Sequence, residues 1–325
     1  MKTSSLPSKA RSSIARSLRY LLQLFVGLLL LSLTAAAFLW RYYHPSVQRT
    51  DGIVYGTRHG HDLTMDIIRP AKGANGLAVA FMVSGGWKSA PPGSTPVWMM
   101  APLLRRGYTV FAISHLSQPE STVMEIIEDM QKGVRHVRHH AEAYRIDPQR
   151  IGITGGSAGG HLSLMLATTG GPGNPGAQDP VDRASSAVQA VAIFYPVTDL
   201  LNLGDSTENP GDGGPPKSYV KAFGPQSTDP DQWAIIGRAT SPIYHIHADM
   251  APILIHHGDA DTLTPLEQSQ WFVDQALAKG CDIKLTVVGG VGHGWPSMFL
   301  DLEDFGRWFD RHLVIGQPQG LSTHH

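Results

Sequence analysis

Past residue 50 the chain alternates short apolar runs with helical patterns, the signature of a mostly parallel sheet covered on both faces. The runs predict strands over Leu63–Arg69, Leu77–Val83, Tyr108–Ile113, Arg150–Thr154, Val188–Phe194, Pro252–His257 and Ile283–Val288. The clearest helix follows Thr122-Val123-Met124-Glu125, a capping-box pattern. Its apolar positions Val123, Ile126, Ile127, Met130, Val134, Val137, Ala141 and Tyr144 mostly step by three and four, which predicts one buried stripe ending at Asp147-Pro148. Residues 204–216 are a loop by composition, inside a wider insertion of about 199–250 between two predicted strands. A connection of that length in a compact domain reads as a lid or binding loop. The pattern predicts one α/β domain over 46–316, followed by a disordered tail at 317–325.

The N-terminus follows a different pattern. Tyr20 to Trp40 carries no charge, and Lys2, Lys9, Arg11, Arg16 and Arg19 precede it with no acidic residue before Asp51. Such a run, as a helix, spans about 30 Å, the thickness of a hydrocarbon core. The cations hold the N-terminus in the cytoplasm and send the rest of the chain across the membrane. A cleaved signal peptide is the competing reading, with Leu21 to Thr34 as its apolar core and Ala35-Ala36-Ala37 as cleavage site. The long basic segment and the apolar run reaching Trp40 favour an uncleaved anchor, so residues 1–45 read as a cytoplasmic segment plus a transmembrane helix.

Composition narrows the chemistry. The 325 residues contain 26 Lys or Arg and 27 Asp or Glu, a formal net charge of -1. With no basic excess to neutralise phosphates, nucleic acid is not an expected partner. A single cysteine, Cys281, excludes an intramolecular disulfide or a Cys-rich metal site and reads as a structural thiol. The spacing of His136, His139 and His140 invites a shared metal ion, but no carboxylate or Cys completes a zinc pattern. These three, like His59, His61, His245 and His247, read as solvated, and no cofactor is expected.

Gly155-Gly156-Ser157-Ala158-Gly159-Gly160 contains G-x-S-x-G between a predicted strand and a predicted helix, the setting in which that motif presents a nucleophile on a sharp turn. Serine needs a base held by an acid. Two predicted strands run into loops that supply both: one carries Asp259 and Asp261, the other His293 between glycines. In a parallel sheet both loops emerge at the edge that carries Ser157. The Ala158 amide, with two more from Val83-Ser84-Gly85-Gly86-Trp87, would form an oxyanion hole. Trp87 and Trp295 adjoin these loops and read equally as pocket or core.

In these motifs the chain resembles α/β-hydrolases of the esterase and lipase group, nearest the acetylesterase-like, hormone-sensitive-lipase-like and carbohydrate-esterase branches. The resemblance covers about residues 50–315. It implies Ser157 as nucleophile, His293 as base, Asp261 rather than Asp259 as orienting acid, and Gly85, Gly86 and Ala158 as the oxyanion hole. It implies hydrolysis of a small-molecule carboxylic ester, with short acyl chains expected, through an acyl-enzyme. A prolyl-oligopeptidase-like peptidase, a membrane-associated lipase and an acyltransferase use the same triad; a non-enzymatic binding module is the reading from another class. One departure stands out: such esterases carry His-Gly-Gly-Gly where this chain has Val83-Ser84-Gly85-Gly86.

Overall fold

The computed structural model describes residues 8–314. Lys2 and the tail expected at 317–325 lie outside the described residues. The chain divides between Pro45 and Ser46. Before the division, helix α1 (Ser8–Tyr43) contains a 25-residue apolar stretch, Arg19–Tyr43, exposed from Arg19 to Arg41 and half-buried at Tyr42 and Tyr43.

After it, eight strands form one sheet in the order β1-β2-β4-β3-β5-β6-β7-β8. Strands β1 (Val47–Arg58) and β2 (His61–Pro70) make an antiparallel hairpin, and β2 also runs antiparallel to β4 (Thr109–Ile113). Strands β3 (Ala78–Met82), β5 (Ile151–Gly156), β6 (Ala190–Phe194), β7 (Ile253–Gly258) and β8 (Ile283–Val288) join β4 in parallel. Parallel strands buried on both faces need no alternation, and β4, β6 and β7 are buried at every position.

The sheet is covered on one face by α3 (Val123–His139), α5 (Ala158–Thr169) and α7 (Leu266–Ala278), and on the other by α2 (Ala101–Arg105) and α8 (Met298–Leu313). The capping box forms as expected: the Glu125 amide donates to Thr122 Oγ1, and the Thr122 amide donates to Glu125 at 2.7 Å. Such a cap stabilises a helix by about 1 kcal/mol. The helix ends sooner than its periodicity predicts. Continuity breaks at His140, and a single turn, α4 (Ala141–Tyr144), closes on left-handed Arg145 (φ 53°) before Asp147 is reached.

All seven predicted strands are present; β1 is the one the pattern hides. Gly52, at φ 70°, marks a register shift between Thr50 and Ile53, so the period of two is interrupted mid-strand. The 199–250 insertion leaves β6 and returns before β7. It is irregular from 204 to 216 and then carries short 3-10 turns and α6 (Pro230–Ala239).

Candidate active site

Four loops meet at the C-terminal edge of the parallel strands. The first is the turn from β5 into α5. Ser157 sits there at φ 55°, ψ -122°, a region that costs an ordinary residue about 1–3 kcal/mol. Its neighbours make that turn possible. A Cβ on Gly155 would lie 2.5 Å from the Gly159 carbonyl, and one on Gly159 would lie 2.6 Å from the Met82 carbonyl oxygen. The Ser157 amide donates to Phe194 O (3.1 Å) and the Gly159 amide to Ser84 O (3.2 Å), tying the turn to β6 on one side and to the chain after β3 on the other.

The β8–α8 loop brings His293 to Ser157, with Nε2 2.9 Å from Oγ. Its Nδ1 lies 2.8 Å from Asp261 Oδ2, supplied by the β7–α7 loop. Asp261 is buried and also accepts from the amides of Leu263 and Thr264 and from Thr264 Oγ1. Burial raises its carboxyl pKa, but hydrogen bonds from His257 and His293, the His293 charge and the Thr264 amide outweigh burial and hold it well below the usual carboxylate range. The anion therefore persists at neutral pH and fixes the His293 proton on Nδ1, leaving Nε2 to accept from Ser157. Asp259, the other acid of that loop, is exposed and accepts from the Gly290 amide instead. Tyr195 packs its ring 4.4 Å from that of His293; burial and the Asp261 charge push its phenol up to about 12.

The turn expected to supply the oxyanion hole differs from the expectation at one position. Gly85 and Lys88 exchange both backbone hydrogen bonds, 2.9 and 3.0 Å, around Gly86 and Trp87, each near φ 55°. This is the tight I′-like geometry that two left-handed residues produce. The Gly85 N–H is spent inside the turn, while Gly86 and Ala158 both line the space beside Ser157.

Sequence reasoning missed the supports of this turn. His115 places Nε2 2.9 Å from Ser84 Oγ and Nδ1 2.9 Å from Leu116 O. Burial pushes its pKa to about 4, so it is neutral; Nδ1–H donates to Leu116 and Nε2 accepts the Ser84 hydroxyl proton. His161, buried on α5 and likewise pushed to about 4 by burial, accepts from Trp87 Nε1 (3.2 Å) and donates to Thr240 O (2.6 Å). Turn, nucleophile helix and insertion are thus joined through one imidazole. No motif announces either histidine.

Two cavities open at Ser157. A smaller one of about 40 Å³ is walled by Trp87, Val197, Leu200, Leu203 and Tyr219. A larger one of about 450 Å³ is bordered by His293 and lies between the Val97–Met100 turn and the start of α8. Trp87 is therefore both core and wall. Trp295 lines neither cavity: it is buried against Phe194 with its indole N–H bonded to Asp301 (2.7 Å), and of its two readings, pocket and core, it takes the core one.

The histidine run also needs correction. His139 is exposed, but His136 is buried, stacks near His140 (4.1 Å) and contacts Tyr144 Oη (3.1 Å), because α3 turns that position inward. Among the described residues no group of three or more His, Cys, Asp or Glu is arranged to hold a metal ion. Cys281 is a buried free thiol.

A family model described as BD-FAE matches residues 65–276. The probable carboxylic ester hydrolase LipM of Mycobacterium tuberculosis is 33% identical over 228 residues, 69% of this chain and 51% of the relative. The esterase LipQ of the same organism is 30% identical over 229 residues, 69% of this chain and 52% of the relative. The chain thus spans about half the length of these curated relatives. Among solved structures, a truncated carbohydrate esterase from gut microbiota superposes with a TM-score of 0.66 at 26% identity, over 81% of this chain and 96% of that one.

Proposed function

The chain belongs to the BD-FAE family within the α/β-hydrolase superfamily of serine esterases, and we propose that it hydrolyses carboxylic esters through an acyl-enzyme on Ser157. One observation carries the reading: the continuous path from Ser157 Oγ to His293 (2.9 Å) and from His293 to the buried Asp261 (2.8 Å). His293 Nε2 takes the hydroxyl proton as Ser157 attacks the ester carbonyl. Asp261 holds the imidazole tautomer and stabilises the imidazolium. The amides of Gly86 and Ala158 receive the negative charge of the tetrahedral oxygen. His293 then protonates the leaving alcohol, and water, activated by the same imidazole, releases the acid.

The 199–250 insertion acts as a lid-like roof over the nucleophile, through the Leu200 and Leu203 side chains. Helix α1 holds the catalytic domain at a membrane, outside the cytoplasm. Support for this orientation is the uncharged span of α1 and the five cations that precede it.

The test is hydrolysis of p-nitrophenyl esters from acetate to palmitate by wild type and Ser157→Ala. Activity on the short esters that disappears in the variant is the expected result. A folded wild type no more active than the variant overturns the proposal.

A further inference from the structure

The two cavities at Ser157 differ in size and in which triad member they reach. Only the larger is lined by His293. The leaving oxygen must take its proton from His293 Nε2, so the alcohol departs on the His293 side and the acyl tail lies on the other. From this division, and resting on the ester-hydrolase reading above, we infer that the substrate joins an acyl group of about two to four carbons to a bulky, uncharged, apolar alcohol seated in the larger cavity.

The acyl limit follows from volume. A water-sized group needs about 10–15 Å³ of such space, so the smaller cavity of about 40 Å³ holds roughly three of them. Its walls are mostly apolar, and the insertion contributes Leu200 and Leu203 to them.

The alcohol side has more than ten times that volume, about 450 Å³. Four methionines, Met82, Met99, Met100 and Met298, line it together with Phe81 and Leu302. Methionine adapts its shape and meets aromatic rings favourably. No Asp, Glu, Lys or Arg is among the described residues of the lining. Two of its hydroxyls are already engaged, Ser84 with His115 (2.9 Å) and Tyr195 with Met298 Sδ (3.2 Å). Apart from the nucleophile, Thr154 and Tyr219 are the other hydroxyls of the described lining, too few to replace the hydration of a polyhydroxylated alcohol, and each group left unmet weakens binding.

The experiment compares four esters with the full-length protein in detergent: 2-(1-naphthyl)ethyl acetate, its isomer methyl 3-(1-naphthyl)propanoate, ethyl acetate and an O-acetylated methyl xyloside. The isomers contain the same atoms with the ester reversed. The naphthylethyl acetate should exceed each of the others in kcat/KM by about 100-fold, within the range that pocket contacts supply. Leu302→Trp, which fills the cavity, should cut its advantage over ethyl acetate by about tenfold. Equal or better turnover of the isomer places the bulk on the acyl side and overturns the inference; so does preference for the xyloside. A fluorophosphonate probe separates the two levels. Ser157 labelled, with any other ranking or with none of the four turned over, overturns only this inference. No turnover and no labelling overturns the ester-hydrolase reading as well.

Discussion

Ser84 and His115 stand two residues beyond the ends of adjacent parallel strands, β3 and β4, whose last residues Met82 and Ile113 are in register. The 2.9 Å hydrogen bond between them braces the chain immediately before the Gly85–Lys88 turn. Related esterases resembling this chain place a histidine within the turn's own motif. Here the imidazole comes from the neighbouring strand end and reaches the same loop through a serine.

Ser84→Ala removes that brace and leaves the His115 Nε2 without its donor. We expect kcat to fall about tenfold with KM nearly unchanged, since the loss concerns the placement of amides that act in the transition state. Ser84→Thr, which keeps the hydroxyl, should restore most of the rate. Steady-state kinetics on p-nitrophenyl acetate decides it: a change in KM alone would mean that Ser84 serves binding rather than the placement of the turn.

Asp261→Asn should lower kcat by about 10⁴-fold with the fold intact, because the amide no longer fixes the His293 tautomer. Asp259→Asn should change kcat by less than about threefold, its carboxylate being exposed and bonded to the Gly290 amide. Reversal of the two effects would reassign the acid.

The glycines of the site should respond unequally. At Gly85 a Cβ meets nothing within 4 Å, and its N–H is already bonded, so Gly85→Ala should retain activity. At Gly155 a Cβ lies 2.5 Å from the Gly159 backbone, and α5 has to move. Gly155→Ala should cost about 1–3 kcal/mol of stability or more, read from thermal unfolding, and should abolish most of the activity.

Acid should destabilise the fold well above the carboxylate range. Burial holds His115 and His161 near pKa 4, against about 6.5 in the unfolded chain. Between those values the unfolded state binds protons that the folded state refuses, so stability rises with pH through the window and is fully present above it. Each histidine contributes a slope of about 1.4 kcal/mol per pH unit near the middle of the window. The unfolding midpoint should drop from pH 7.5 to 5, and His161→Gln should flatten that drop. A midpoint independent of pH in wild type would refute the assignment.

The strands, the nucleophile turn and the acid and base loops were legible in sequence because each is written locally. Apolar runs define β2 to β8, and the glycines around Ser157 mark close approach. Strand β1 was hidden by its bulge at Gly52, and the end of α3 by apolar spacing that continues past the break at His140. His115 and His161 were invisible for another reason: their partners lie 31 and 79 residues away along the chain, and no local pattern encodes such a meeting. Gly85 looked like a donor because sequence does not disclose which amide a tight turn consumes.

The small cavity has walls of two origins. Trp87 and Ala158 belong to the catalytic turns, while Leu200, Leu203 and Tyr219 belong to the insertion between β6 and β7. On the proposed reaction, the residues that would break the bond and those that would measure the acyl chain therefore lie on different segments of the chain. On that reading, substitutions within the insertion should retune chain-length preference without disturbing a strand or a triad residue, which makes this segment the natural place for selectivity to diverge while the reaction is kept.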